Sequence, residues 1–235
     1  DADCKPVSKN WISEMAKNFA SEKTIILGYG KYKKTKKLVN LFVRFETLLT
    51  AIQYFNYAKL GAPYMGVGRN LAYTKSEFFN VNGFIKHIKI KSGDDDLFIQ
   101  DAANKKNTQI CLSENSFTVS EAPKSFKEWF QQKRRHISTA NYYKTKHKFF
   151  LGLFFLSKVF LLITATILFF VYPWQFILPI ILSYYLVQFI VVGLSAKKLK
   201  ETQIIYFLPF LEIGLLLFQF SIFISNLISK PNHWK

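Results

Sequence analysis

From residue 149 to residue 229 the chain is almost entirely apolar, with aromatic residues at the ends of its runs and few charges. Three runs follow one another there, over residues 149–172, 175–194 and 204–228. Each is close to or above the ~20 residues that an α-helix needs to cross about 30 Å of hydrocarbon. A buried helix of a soluble protein is shorter and shows a polar face. The pattern therefore predicts three transmembrane helices, followed by a short tail over residues 230–235.

The loops orient these spans. Residues 172–175 contain no Lys or Arg, whereas residues 195–202 contain Lys197, Lys198 and Lys200. Eight further cations lie between Lys124 and Lys148, directly before the first span. Positive loops stay on the cytoplasmic side, so residues 1–148 and the second loop are expected there. Tyr172, Trp174 and Trp234 then become interfacial aromatics of the far side. The tail is expected outside, although Lys230 and Lys235 argue the other way. The formal charge of +17 suggests a nucleic-acid partner until it is counted by region. Residues 1–148 hold 26 Lys/Arg against 13 Asp/Glu, and the cations gather beside the membrane. There they attract anionic headgroups, at roughly 1 kcal/mol per cation, and no nucleic-acid partner is expected.

Residues 1–123 read as strands alternating with helices. An amphipathic helix starts after Ser8 and carries Trp11, Met15 and Phe19; a buried strand covers 24–29; a long helix covers 38–60 and stops at Gly61-Ala62-Pro63. A short helix over 75–80, a helix from about 95 to 104 and strands near 108–112 and 117–119 follow. The expected class is α/β with a mostly parallel sheet. Ser125 opens a basic amphipathic helix, assigned to 124–148. Cys4 and Cys111 lack metal-ligand spacing; each reads as a small buried residue in a reducing compartment. The chain opens on Asp-Ala-Asp, without Met or a signal peptide, and is read as the C-terminal part of a longer protein.

Four clusters can carry chemistry, and each has a plainer alternative. Asp1-Ala2-Asp3 can hold a hard divalent cation against a diphosphate, or be a solvated loop. Ser92-Gly93-Asp94-Asp95-Asp96 can cap a helix N-terminus, or supply a general base whose proton affinity like-charge crowding raises. Gln132, Arg135 and His136 share one helix face, opposite Phe126, Trp129, Phe130 and Ile137. The apolar stripe can rest on the bilayer while the polar face binds diphosphate and sugar hydroxyls; a plain basic interfacial helix explains the pattern equally. Gly66-Val67-Gly68-Arg69-Asn70 lacks the third glycine of a dinucleotide fingerprint and reads as a close-approach loop lining a pocket. Within the spans, Lys158 and Glu212 lie nine and eight residues from the cytoplasmic entry. Roughly equal depth, about 12–13 Å at 1.5 Å per residue, predicts that they pair; the alternative is a snorkelling lysine and a protonated glutamate.

Asp-x-Asp, then Gly-Asp-Asp about ninety residues on, then Gln-x-x-Arg-His, then membrane helices: this order resembles the membrane-bound family 2 glycosyltransferases of the cellulose, hyaluronan and poly-N-acetylglucosamine synthase type, and the ceramide glucosyltransferases. The similarity covers essentially the whole chain. It implies a GT-A-like mixed sheet whose nucleotide-binding first half is absent, followed by the interfacial helix and three transmembrane helices, in a bacterial inner membrane. It also implies a nucleoside-diphosphate sugar donor, of the UDP-sugar kind, with Mg2+ or Mn2+ on Asp1 and Asp3. Asp95 then matches the base that deprotonates the acceptor hydroxyl for inverting transfer to a lipid or glycan. Gln132, Arg135 and His136, with Gly66, Gly68 and Asp94, are expected at the donor and acceptor. His136 stands where the family has Trp, which alters the stacking surface beneath an acceptor sugar. Without the first half this chain alone is expected to be inactive. A non-catalytic membrane scaffold with the same fold is the alternative, but both acidic motifs are intact.

Overall fold

The computed structural model describes residues 1–90 and 92–229. The body runs β1 (Lys5–Pro6), α1 (Trp11–Ala16), β2 (Ile25–Leu27), β3 (Gly30–Tyr32), α2 (Leu38–Lys59), β4 (Leu71–Tyr73), α3 (Lys75–Asn80), α4 (Asp94–Ala102), β5 (Thr108–Ile110), β6 (Thr118–Ser120) and α5 (Phe126–Thr139). Three long helices follow: α6 (Thr145–Val171), α7 (Trp174–Lys198) and α8 (Leu208–Ile228), the last entered through a 3-10 segment over Thr202–Phe207.

The strand pairing is mixed, as the resemblance implies, and departs from the mostly parallel sheet expected from the strand and helix alternation. Two three-stranded sheets form, in the orders β1-β6-β3 and β4-β2-β5. In each, one pairing is parallel (β3 with β6, β2 with β5) and one antiparallel (β1 with β6, β2 with β4). Helix α2 lies between β2 and β4, and after it the chain comes back beside β2 in the opposite direction, so the two pair antiparallel. Asn70 ties the two sheets together. Its amide nitrogen donates to the carbonyls of Tyr29 (2.9 Å) and Ser116 (2.7 Å), and its oxygen accepts from Trp11 Nε1 (3.1 Å). A side chain at Gly28 would collide with that amide, its Cβ 2.5 Å from Asn70 Nδ2.

Helix α2 is apolar nearly all round because it is enclosed. Phe45, Leu48, Ala51 and Tyr54 are buried in the body, and its first half also meets α7 and α8. Such a helix has no solvent face to keep polar. Helix α1 is shorter than expected and Ser8 is not its cap: Asn10 stands there, and Ser8 Oγ accepts from Asn10 N (3.1 Å). Trp11 and Phe19 pack on the small core of Met15, Ile26 and Cys111.

Helix α5 starts as expected. Ser125 Oγ accepts from Glu128 N (3.2 Å), and Glu128 reaches back to Lys124 N (2.8 Å), a reciprocal cap. Its end and its apolar face differ from expectation. The helix stops at Thr139, not at 148, because the chain turns there to dock on α4. The Tyr143 hydroxyl donates to Asp96, Lys144 N donates to Gln100 Oε1 (3.1 Å), and His147 meets the same oxygen (3.0 Å). The apolar stripe does not rest on lipid along its length: Trp129 is fully buried and stacks on Phe218 of α8 (centroids 3.9 Å, 12° between planes), beside Phe42 of α2.

Helices α6 and α7, and the helical run Thr202–Ile228 that contains α8, are each long and apolar enough to cross a membrane. Lys158 of α6 and Glu212 of α8 form an ion pair, and the Tyr184 hydroxyl of α7 donates to the same Glu212 oxygen (2.6 Å). The second long helix therefore joins the pair, which sequence reasoning did not anticipate. A second buried pair ties the segment after α7 to the body: Arg44 Nε donates to Glu201 Oε2 (2.9 Å), with side chains 4% and 0% exposed. The tail over 230–235, with Trp234, lies outside the described residues.

Candidate active site

A cleft of about 250 Å3 opens between the start of α4, the loop before β4, the middle of α2 and the end of α5. The first helical turn of α4 supplies three carboxylates. Gly93 makes this possible: it is left-handed (φ +78°), and an added Cβ would lie 2.3 Å from Thr139 Cγ2 at the end of α5. Thr139 Oγ1 in turn donates to Ser92 O (3.1 Å). A residue with a side chain could neither adopt that turn at low cost nor let the two helices approach.

Asp95 lies against Gly68, whose main-chain N–H donates to Asp95 Oδ2 (2.6 Å). Its other oxygen accepts from Asp96 N (2.9 Å). Asp1 closes on the same glycine, its main-chain nitrogen donating to Gly68 O (2.8 Å). A Cβ at Gly68 would meet Asp1 Oδ1 at 3.0 Å and Asp95 Oδ2 at 3.3 Å. The two acidic motifs, ninety residues apart in sequence, are thus brought together at one glycine. Burial raises the Asp95 pKa above the ordinary value and the neighbouring Asp94 adds to it, while the main-chain donors at Gly68 and Asp96 oppose the rise. Asp96 points inward, accepts from Tyr143, and is raised further, by burial first and then by Asp95. Asp94 lines the cleft and is exposed.

Gly66 does not line the cleft. Its Cα faces the core, where a Cβ would press on Ile99, Leu71 and Leu27 at 3.2–3.3 Å. From α5 the cleft receives Lys133, His136 and Thr139, whereas Gln132 and Arg135 are not among its lining residues. The helix is turned so that position 133 faces α2, where Lys133 Nζ pairs with Glu46 Oε1 (2.6 Å). The pKa of His136 is lowered to about 3, by desolvation and then by Lys133, Arg135 and Arg69. The residue keeps solvent contact, so the three cations supply the firmer part of that shift, and the imidazole is neutral at pH 7.

Among the charged residues of the cleft, sequence reasoning missed Arg69, Glu46 and Lys133. Arg69 lies 4.2 Å from the Tyr32 ring centroid and lines the cleft with Glu46 and Lys133. Arg69 stood inside the quoted glycine loop, and Lys133 inside the quoted α5 motif, so both signals were present. Glu46 had none, because an acid within a long apolar helix reads as a surface position.

Asp1, Asp3 and Cys4 place one ligand atom each within 4.8 Å of one another. The two carboxylates suit a hard divalent cation. Cys4 suits it poorly: burial, then Asp3, raise its pKa, so the thiol stays protonated. Cys4 is half-buried beside an acid and is not the small core residue expected; Cys111 is buried.

The family model for Glycosyl transferase family group 2 matches residues 1–192. The chain belongs to this family. A comparison with individually curated proteins gives no match. The match takes in the cleft, α5, α6 and most of α7. Glycosyl transfer is the chemistry of a family 2 domain, and it requires a nucleotide-sugar donor and an acceptor. The cleft of this glycosyltransferase is accordingly described by what each wall offers: carboxylates from α4 and the first residues, cations from Arg69 and Lys133, and a neutral imidazole from His136.

Proposed function

We propose that the protein transfers a sugar, with inversion, from a nucleoside-diphosphate donor of the UDP-sugar kind to the hydroxyl of a lipid or glycan acceptor, at the cytoplasmic face of a membrane. The observation that carries this reading is the convergence of Asp95 and Asp1 on Gly68. Asp95 takes the acceptor's hydroxyl proton. The freed oxygen attacks the anomeric carbon as the bond from that carbon to the diphosphate breaks on its opposite face. Burial raises the proton affinity of Asp95 above that of an ordinary carboxylate, which makes it a better base. Asp1 and Asp3 would hold a divalent cation (Mg2+ or Mn2+), which, when bound, neutralises charge on the leaving diphosphate. Arg69 adds positive charge to the cleft, where the charge of Lys133 is balanced by Glu46. His136, being neutral, serves as a hydrogen-bonding group toward sugar hydroxyls and not as a cation. Gln132 and Arg135 lie outside the cleft lining, so a part for them in binding the acceptor requires that it extend beyond the cleft.

The test is made in the full-length protein. Asp95→Asn keeps the side chain's shape but takes no proton, so transfer falls at least ~10²-fold while donor binding and thermal stability are retained. Asp94→Asn, on the exposed side, costs less than tenfold. If Asp94→Asn or Asp96→Asn is the inactive variant and Asp95→Asn is not, the assignment of the base is overturned.

A further inference from the structure

We infer that α8 lies along the membrane interface under the body and does not cross the bilayer, so that Ser229 is on the same face as residues 1–142. The expected topology had three crossings and an external tail. The argument comes from what α8 touches along its whole length.

Before its start, Glu201 is held by Arg44 of α2, and Lys34 donates to Lys200 O (3.0 Å). Along its first half, Phe210 packs on Phe42 (centroids 5.6 Å). Gly214 lets that ring approach, since a Cβ there would be 2.7 Å from it. In its middle, Phe218 stacks on Trp129 of α5. At its far end, Arg134 of α5 donates to Asn226 Oδ1 (2.8 Å) and Ser225 O (3.2 Å) and also holds Ser229, while Asn226 donates back to Arg134 O (3.2 Å). Both ends of the helix, and the residues between, are thus fixed to one body.

Twenty-one residues at 1.5 Å rise make a helix of about 31 Å, the thickness of the hydrocarbon. If α8 crossed, the body touching both its ends would have to cross with it. Helix α5, which touches its far end, carries Lys127, Lys133, Arg134 and Arg135 in four turns, and such a helix does not enter hydrocarbon.

The outward face of α8 fits the alternative. Ile213, Leu217, Phe220, Ile224 and Leu227 recur at alternating spacings of four and three and are all exposed. That is one continuous apolar stripe, suited to lie in the headgroup and acyl boundary. The hairpin of α6 and α7 behaves differently. Its tip is bare, with Phe170 84% and Val171 68% exposed. Its bases are held in the body at His147 and at Val192 and Ala196. The hairpin crosses; α8 roofs it on the cytoplasmic side, meeting it through Lys158 and Tyr184.

The experiment uses the full-length protein in sealed inverted membrane vesicles, with Cys4 and Cys111 replaced by Ser and Ala, and a membrane-impermeant maleimide. Ser76→Cys, on the exposed start of α3, marks the face of the body, and Tyr172→Cys marks the hairpin tip. Ser229→Cys is expected to label within twofold of Ser76→Cys, with Tyr172→Cys below a tenth of it. A protease-cleavable tag appended after Lys235 gives the same reading without disturbing the Arg134 contacts, and should be cut in the vesicles that label Ser76→Cys. Protection of Ser229→Cys and of the tag together with Tyr172→Cys overturns the inference. Labelling of Tyr172→Cys on the Ser76 face also overturns it, since the hairpin would then not cross.

Discussion

The cleft and the seam between body and membrane helices both hold carboxylates away from bulk water, and Asp95 in the cleft is held differently from the seam acids and from its neighbour Glu46, which pairs with Lys133. At the seam every such acid has a basic partner: Glu201 has Arg44, and Glu212 has Lys158 with Tyr184 as well. In the cleft the hydrogen bonds to Asp95 come from main-chain nitrogens, at Gly68 and Asp96. A guanidinium or ammonium neutralises a carboxylate and holds its proton affinity down; an N–H orients it and leaves its charge available. The difference separates acids that fasten the molecule from the acid that can accept a proton.

This contrast can be broken at the seam first, where effects are largest. Arg44→Met leaves Glu201 buried without its cation, and burial already raises the Glu201 pKa against the pull of Arg44. Stability should fall by about 3–5 kcal/mol, measured by denaturation in detergent, and Arg44→Met with Glu201→Leu should recover most of it. An equal loss in the double variant would mean that Arg44 acts by packing alone. Lys158→Leu comes next. The pair is more exposed, at 14% and 11%, and Tyr184 stays on Glu212, so the loss should be about 2 kcal/mol, with recovery in Lys158→Leu with Glu212→Leu. The smallest effect is in the cleft. Gly68→Ala puts a methyl group between Asp1 and Asp95, where each must give way by a few tenths of an ångström. Transfer should fall roughly tenfold with thermal stability unchanged, because only the alignment of the two acids is lost.

How far the chain could be read in advance follows the same division. Elements with a strong period or a clear stop were legible: α2 up to its Gly61, α5 from its Ser125 cap, and the long apolar helices. The order of the acidic motifs pointed to one site, and the structure brings Asp1 and Asp95 to the same glycine. What was not legible depended on rotation and on partners distant in sequence. Helix α5 is turned so that Lys133 and His136, not Gln132 and Arg135, enter the cleft, and only the position of Glu46 on α2 explains that. The apolar stripe of α5 read as lipid-facing because Phe218, its true partner, lies ninety residues on. Arg44 and Glu201 each look like surface charges until they meet. Gly66 and Gly68 are equivalent as sequence, yet one faces Ile99 and the other faces two carboxylates.

The central claim, that Asp95 is a base without a cationic partner among the described residues, is tested most directly by the pH dependence of kcat/KM. Burial and Asp94 raise the Asp95 pKa, so the active, ionised form is lost as pH falls through a value above the ordinary carboxylate range. Full-length protein should therefore lose transfer on the acid side at a higher pH than an ordinary aspartate would require. The residual activity of Asp95→Asn should show no such limb. The same acid limb in Asp95→Asn would contradict the account.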